Sequence, residues 1–302
     1  MNKLNNIALV GGTHGNERSG IQLIQQWQQY PPQADWHFNL HYVLAHPRAC
    51  QQSVRFLESD LNRAFRLADL QDPQQLGYES LLAKQLNQQL GPKGAAKTDL
   101  IIDLHNTTSN MGACLMLLKQ DRFNLLMGAY VKQRMPEAVV FFQDNLPEER
   151  QSFLATIGSQ GVTVEVGPQA HSVLQQHTLE LMSRMTRHIL DFADAYQQQG
   201  LSDELLHFTY DAFRYAGEVE LPTDATGRPT AIVSSAIDQH DFQPVHPGDV
   251  IMESFDGTPI TWTGEDTVYP LFVNEAAYVG GKSAMTLSTA LRIDCAQDLP
   301  SE

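Results

Sequence analysis

Apolar and polar positions along the chain switch repeatedly between strand spacing and helix spacing. Ile7 to Val10 is a short apolar run closed by Gly11-Gly12, and the following RSGIQLIQQWQQY places Ile21, Ile24 and Trp27 at helical spacing. These patterns predict a strand, a loop and a helix. FNLHYVLAHP reads as a second strand stopped by Pro47. TDLIIDLHN reads as a third, whose unbroken run Leu100 to Leu104 suits a strand buried on both faces. Between them, YESLLAKQLNQQLG predicts a helix, with Leu82, Leu86 and Leu90 spaced by one turn and Gly91 at the expected C-terminal cap.

The alternation continues. GACLMLL, AVVFF and GVTVEVG read as strands, FNLLMGAYVKQRM as a helix, and LQQHTLELMSRMTRHILDFADAYQQQG as a long amphipathic helix. Strands interleaved with helices predict an α/β fold with a largely parallel sheet flanked by helices. Around Gly200 the texture changes to short β-like segments, RYAGEVEL, TAIVSSAI, VIMESF and TVYPLFV, punctuated by Gly, Pro and Asp. The expected division is therefore residues 1–205 as the α/β domain and 206–302 as a smaller β-rich domain.

Composition narrows the partners. The chain has 302 residues, 42% of them hydrophobic, enough for a full core. Its 20 basic and 35 acidic side chains give a formal charge of −15, which argues against a nucleic-acid partner and against an anionic membrane surface. A few local arginines can still hold a small anion. Cys50, Cys114 and Cys295 are far apart and form no C-x-x-C pair, so neither a disulfide framework nor a thiolate metal site is expected. The apolar run at the N-terminus is too short for a signal peptide or a bilayer span. A soluble, cytoplasmic protein is the expectation.

The candidate chemistry begins in GGTHGNERSG. It matches neither G-x-G-x-x-G nor G-x-x-x-x-G-K-[ST], so its glycines are a weak phosphate loop. His14 and Glu17, with two residues between them, suit a bidentate zinc pair, although a surface histidine near a helix start with a glutamate set against the helix dipole has the same spacing. His105 ends the buried-type strand, and functional groups in open α/β sheets gather beyond strand C-termini. Two nitrogens and one carboxylate with an open fourth position would make a catalytic site. Asp103, on the same strand face as His105, is placed to orient an imidazole or to serve as a salt bridge or cap. Glu165 stands alone in an apolar strand, where a carboxylate needs a partner or a cleft, and an acid-base role or an arginine pairing both satisfy it. RFLESDLNRAF carries Arg55, Asn62 and Arg63, which suit carboxylate capture and carbonyl polarisation but also an exposed charged loop.

Five segments in order, GGTHGNE, DLNRAF, DLHNTTSNMG, VEVGPQ and DTVYPLFVNEAAY, closely resemble the aspartoacylase and aminoacylase 3 family, zinc N-acyl-amino-acid amidohydrolases related to carboxypeptidases. The resemblance runs from about Ala8 to Ala284. It implies a zinc-carboxypeptidase-like mixed sheet and one Zn2+ per subunit on His14, Glu17 and His105. It implies Glu165 as general base and acid, and Arg55 as stabiliser of the oxyanion. Asn62 and Arg63 would bind the substrate's α-carboxylate, and Tyr278 would reach the site from a C-terminal domain that covers it. Glu275, in the same motif, would have a structural role at the domain junction. The partner implied is a small N-acyl amino acid, and family members form homo-oligomers.

One position departs from the pattern. The arginine that aspartoacylase uses for a substrate side-chain carboxylate, counted ten residues before the base, falls here on Ala155, and Arg150 is the nearby arginine whose reach would decide the matter. N-acetylaspartate is the substrate named by overall resemblance, with N-acetyl aromatic or other neutral amino acids as the alternative. A small-peptide carboxypeptidase and a non-catalytic binding protein are the remaining readings.

Overall fold

The computed structural model describes residues 3–278 and 283–300. Its first half is β1 (Asn6–Gly11), α1 (Arg18–Gln29), β2 (Asn39–Leu44), α2 (Pro47–Gln52), α3 (Leu67–Gln71), α4 (Tyr78–Leu90) and β3 (Leu100–Asn106). β4 (Gly112–Leu117), α5 (Arg122–Arg134), β5 (Val139–Phe142), β6 (Gln160–Gly167), α6 (Gln176–Gln197) and α7 (Asp203–Leu206) follow. The remainder is β7 (Thr209–Glu220), β8 (Ala231–Val233), β9 (Val250–Ser254), β10 (Pro259–Thr261), β11 (Tyr269–Leu271), β12 (Ser283–Asp294) and α8 (Cys295–Asp298).

Nine strands form one mixed sheet in the order β11-β12-β7-β5-β4-β6-β3-β1-β2, and β10-β9-β8 form a second, small sheet. β2, β1, β3 and β6 run parallel, whereas β4 is antiparallel to β6. β3 is buried along its whole length, as its unbroken apolar run predicts. Its side chains divide between two cores. Leu100, Ile102 and Leu104 pack with α1, α5 and α6 on one face, while Ile101 packs with Leu61, Phe65, Leu86 and Leu154 on the other.

The C-terminal segments are less separate than their texture suggests. β7 pairs with β5 of the central sheet at Phe141↔Phe213, and its far end pairs with β12 out to Ser283↔Glu220. The pairing shifts register between Leu287 and Ser288, opposite Gly217, whose φ of 144 favours glycine. The central sheet therefore runs straight into the C-terminal part. β12 is a twelve-residue strand that the hydrophobic pattern does not predict. Among the described residues no helix is long and apolar enough to cross a membrane, and all three cysteines are free and buried.

Candidate active site

The turn after β1 is built for close approach. Gly12 has φ 70, and a Cβ there would stand 2.5 Å from Cys50 Sγ. A Cβ on Gly15 would stand 2.0 Å from the Ala49 carbonyl carbon. Only glycine lets this loop press against α2, and the pressed loop turns His14 and Glu17 inward, where both are buried. His105 emerges from the C-terminal end of β3 and pairs in register with Glu165 on β6, so both side chains share one sheet face.

The donor atoms of His14, Glu17 and His105 lie within 4.8 Å of one another. His14 Nδ1 is 2.7 Å from Glu17 Oε1, His105 Nδ1 is 2.8 Å from Glu17 Oε2, and the two Nδ1 atoms are 3.2 Å apart. The outer nitrogen of each ring faces a carboxylate. His14 Nε2 lies 2.8 Å from Asp60 Oδ1. His105 Nε2 lies 2.8 Å from Asp103 Oδ2, at an angle that leaves both atoms without a hydrogen bond. Thr13 Oγ1 donates to the other Asp103 oxygen at 2.7 Å. Two imidazoles and a carboxylate converge here, with a further carboxylate behind each ring, and such a donor set could hold a metal ion.

The electrostatics carry the same sense. Burial opposes charge on both groups, yet the neighbouring imidazoles hold the Glu17 carboxyl well below its usual range, and Asp103 and Glu17 push the His105 imidazole well above its own. Arg55 closes the group from outside, donating from Nη1 to Glu17 Oε1 at 3.1 Å and from Nη2 to Asp60 Oδ2 at 2.9 Å.

Glu165 is half-buried, with one carboxylate oxygen enclosed and unpartnered. Burial, opposed by His105 and reinforced by Glu17 and Glu275, raises its carboxyl to about 8. No arginine pairs with it in the described structure, so the ion-pair reading of this residue fails.

A cavity of about 150 Å³ joins His14, Glu17, Arg55, Asn62, Arg63, Glu165, Glu275 and Tyr278. Asn62 spends its side-chain oxygen on the Leu154 N–H at 2.7 Å, which leaves its amide N–H₂ for the cavity. Arg63 is exposed at the rim, its guanidinium 5.4 Å from the centre of the Phe153 ring. Burial lifts the Tyr278 hydroxyl to about 12. Glu275 is buried at the junction, as its motif implies: its carboxylate accepts from the Thr107 hydroxyl and from the Thr108 and Ser109 backbone N–H groups, just beyond β3.

Two positions sit elsewhere than counting along the sequence suggests. Ala155 is fully buried in a 3-10 turn, packed in the core beside Ile101 and Leu154, and does not line the cavity. Its neighbour Phe153 does. Arg150 is exposed and lies outside the cavity wall. Sequence reasoning also passed over Asp60 and Asn106. Asp60 lies inside the quoted DLNRAF segment, at the cap of a 3-10 turn, and Asn106 donates its backbone N–H to Glu17 Oε2 at 3.1 Å.

Two sequence models of one family match the chain, the succinylglutamate desuccinylase/aspartoacylase catalytic domain over residues 3–193 and its barrel-sandwich hybrid domain over residues 208–290. The chain belongs to the succinylglutamate desuccinylase/aspartoacylase family. Relatives within this family include an N-acyl-aromatic-L-amino acid amidohydrolase of Rattus norvegicus, 37% identical over 95% of this chain and 91% of the relative. An aspartoacylase of Danio rerio is 37% identical over 90% of this chain and 87% of its own length. Murine aminoacylase 3 superposes with a TM-score of 0.88 at 33% identity, covering 97% of both chains. The family fold is thus present over nearly the whole chain.

Proposed function

We propose that this protein hydrolyses N-acyl-L-amino acids to a carboxylate and a free amino acid, with His14, Glu17 and His105 holding one zinc ion. The observation that carries the reading is a buried three-donor cluster of which His14 and Glu17 line one small cavity with an unpartnered, half-buried carboxyl, Glu165, the neighbour of His105 across the sheet. The names of the relatives, amidohydrolase and aspartoacylase, agree with it. Zinc on such a donor set polarises a carbonyl and lowers the pKa of a water.

The chain's own groups supply the rest. Glu165 takes a proton from the attacking water as the C–O bond forms and the carbonyl π pair moves to oxygen, then returns it to the nitrogen as that pair re-forms the carbonyl and the C–N bond breaks, with no net proton change at Glu165. Burial and the neighbouring Glu17 and Glu275 carboxylates favour its protonated form, which suits it to hold the proton between the two transfers. Arg55 stabilises the negative oxygen that develops on the acyl carbon. The Asn62 amide and Arg63 bind the α-carboxylate, and Tyr278 closes the cavity over the substrate. In this reading residues 1–205 are the catalytic domain and 206–302 its cover.

Within this substrate class, one observation favours a neutral side chain. The cavity's described arginines, Arg55 and Arg63, are both committed to the reacting end. Beyond them the wall continues along β6 and β4, where Thr163 lies two residues before Glu165 and pairs with Met116. Leu118, Gln143, Phe153, Phe272 and Glu218 also line it, and apart from Arg55 and Arg63 no arginine or lysine is among the described lining residues. An aspartyl carboxylate would meet no counter-charge there. Hydrolysis of N-acetyltyrosine and N-acetylaspartate, measured with metal content on the same sample, tests both parts. Preferred turnover of N-acetylaspartate would overturn the neutral-side-chain reading, and no turnover of any N-acyl amino acid by zinc-loaded protein would overturn the activity.

A further inference from the structure

Glu79, at the start of α4, does not line the cavity and yet holds the peptide next to Arg55, which does. Its carboxylate is fully buried. One oxygen accepts from Leu57 N–H at 2.7 Å, both take the Glu58 N–H at 3.2 and 3.3 Å, and the second takes Ser59 N–H at 3.2 Å. His46 Nε2 completes the shell at 3.1 Å. Three successive backbone N–H groups converging on one carboxylate make an anion nest, a geometry that an extended peptide does not offer. The exchange is reciprocal, because Glu58 Oε2 accepts from the Tyr78 N–H at 2.8 Å and so caps α4 in return. Burial opposes ionisation of Glu79, but the Leu57 N–H and the His46 ring outweigh it and hold the carboxyl below its usual value.

The pinned tripeptide lies between two residues that matter to the site. Arg55 precedes it and Asp60 follows it, and their side chains meet at 2.9 Å to close the segment into a ring. From that ring Asp60 reaches His14 and Arg55 reaches Glu17. His46 extends the tie to the opposite side, since its Nδ1 accepts from Ala49 N–H in α2 and Ala49 is the residue against which Gly15 presses. We propose that Glu79 is a positioning residue for the metal site: through the Leu57–Ser59 peptide it fixes Asp60 and Arg55, and through Asp60 it fixes the His14 ring.

A glutamine at position 79 keeps the shape but offers the nest one neutral acceptor and an N–H₂ that opposes the backbone donors. This inference rests on the proposed zinc ligand set, and its test reads zinc affinity rather than turnover. Zinc dissociation constants are measured by competition with a chromophoric chelator for the wild type, Glu79→Gln, Asp60→Ala and the double variant. Glu79→Gln is expected to weaken zinc by roughly tenfold. In the Asp60→Ala background the same change is expected to cost less than about twofold, because the group it acts through is already gone. An equal loss in both backgrounds, or none in the first, overturns the proposal. If Glu79→Gln does not fold, Glu79→Asp, which keeps the charge at a shorter reach, goes through the same cycle with the same criteria. A wild type that binds no zinc overturns this inference and the proposed ligand set together, whereas an additive cycle in a zinc-binding protein overturns this inference alone.

Discussion

Asp60 holds the His14 ring from behind, its Oδ1 2.8 Å from His14 Nε2, while its second oxygen engages Arg55. One carboxylate thus orients an imidazole of the candidate metal cluster and a guanidinium at once. Asp60→Asn keeps the shape but weakens both contacts. Zinc affinity is expected to fall by about 10–100-fold, read by chelator competition, and kcat to fall with it. Unchanged affinity would show that His14 is oriented by its loop alone.

Glu165→Ala removes the proposed base without touching the donor cluster. The variant should bind zinc as the wild type does, while kcat falls by roughly 10²–10⁴-fold. Metal analysis and steady-state kinetics on the same preparation check the two halves, and a near-normal kcat would assign the proton transfers to another group.

Removal of the metal should abolish hydrolysis and leave the fold largely in place, because the four apolar clusters of the described residues pack without any of the three donors. Dialysis against a chelator followed by circular dichroism and assay, with activity restored by added zinc, is the expected sequence of results. A large loss of secondary structure on dialysis would make the site structural instead.

Glu275 gives a pH prediction of defined sign. Burial opposes its ionisation, but the His171 ring, the Thr107 hydroxyl and the Ala277 and Thr108 N–H groups hold its carboxyl at about 2, below the ordinary 4.5. A group lowered in the folded state stabilises above its unfolded value and loses that contribution as pH falls towards the folded one. The wild type should therefore exceed Glu275→Gln by about 3 kcal/mol at pH 7, with the gap narrowing below about pH 4.5. Urea denaturation of both proteins at pH 7, 5 and 3.5 measures it. A gap independent of pH would sink the assignment.

Much of the site is readable from the chain because it sits at predictable places. His14 follows and His105 lies near the end of strands whose apolar runs are unambiguous, and Glu165 is conspicuous as the lone charge in a buried strand. The direction of β4 is not readable, since an antiparallel strand buried on both faces has the same apolar run as a parallel one. β12 escapes because its first half is buried on both faces and its second half is largely exposed, so no single period describes it. Asp60 and Glu79 are legible only in three dimensions, because their partners lie 46 and 20 to 33 residues away. Ala155 shows the limit of counting: between it and Glu165 lie a 3-10 turn and the start of a strand, and the side-chain direction is reset in passing.

The long β7 and β12 strands limit how the C-terminal segments can move against the central sheet. Tyr278 and Glu275 hang from the segment between β11 and β12, and β12 is laced to β7, which is itself laced to β5. A swinging door would have to tear a ladder of backbone hydrogen bonds at each turnover. In the proposed function substrate would therefore enter by side-chain and loop rearrangement, and denaturant should melt the C-terminal strands and the central sheet in one cooperative step.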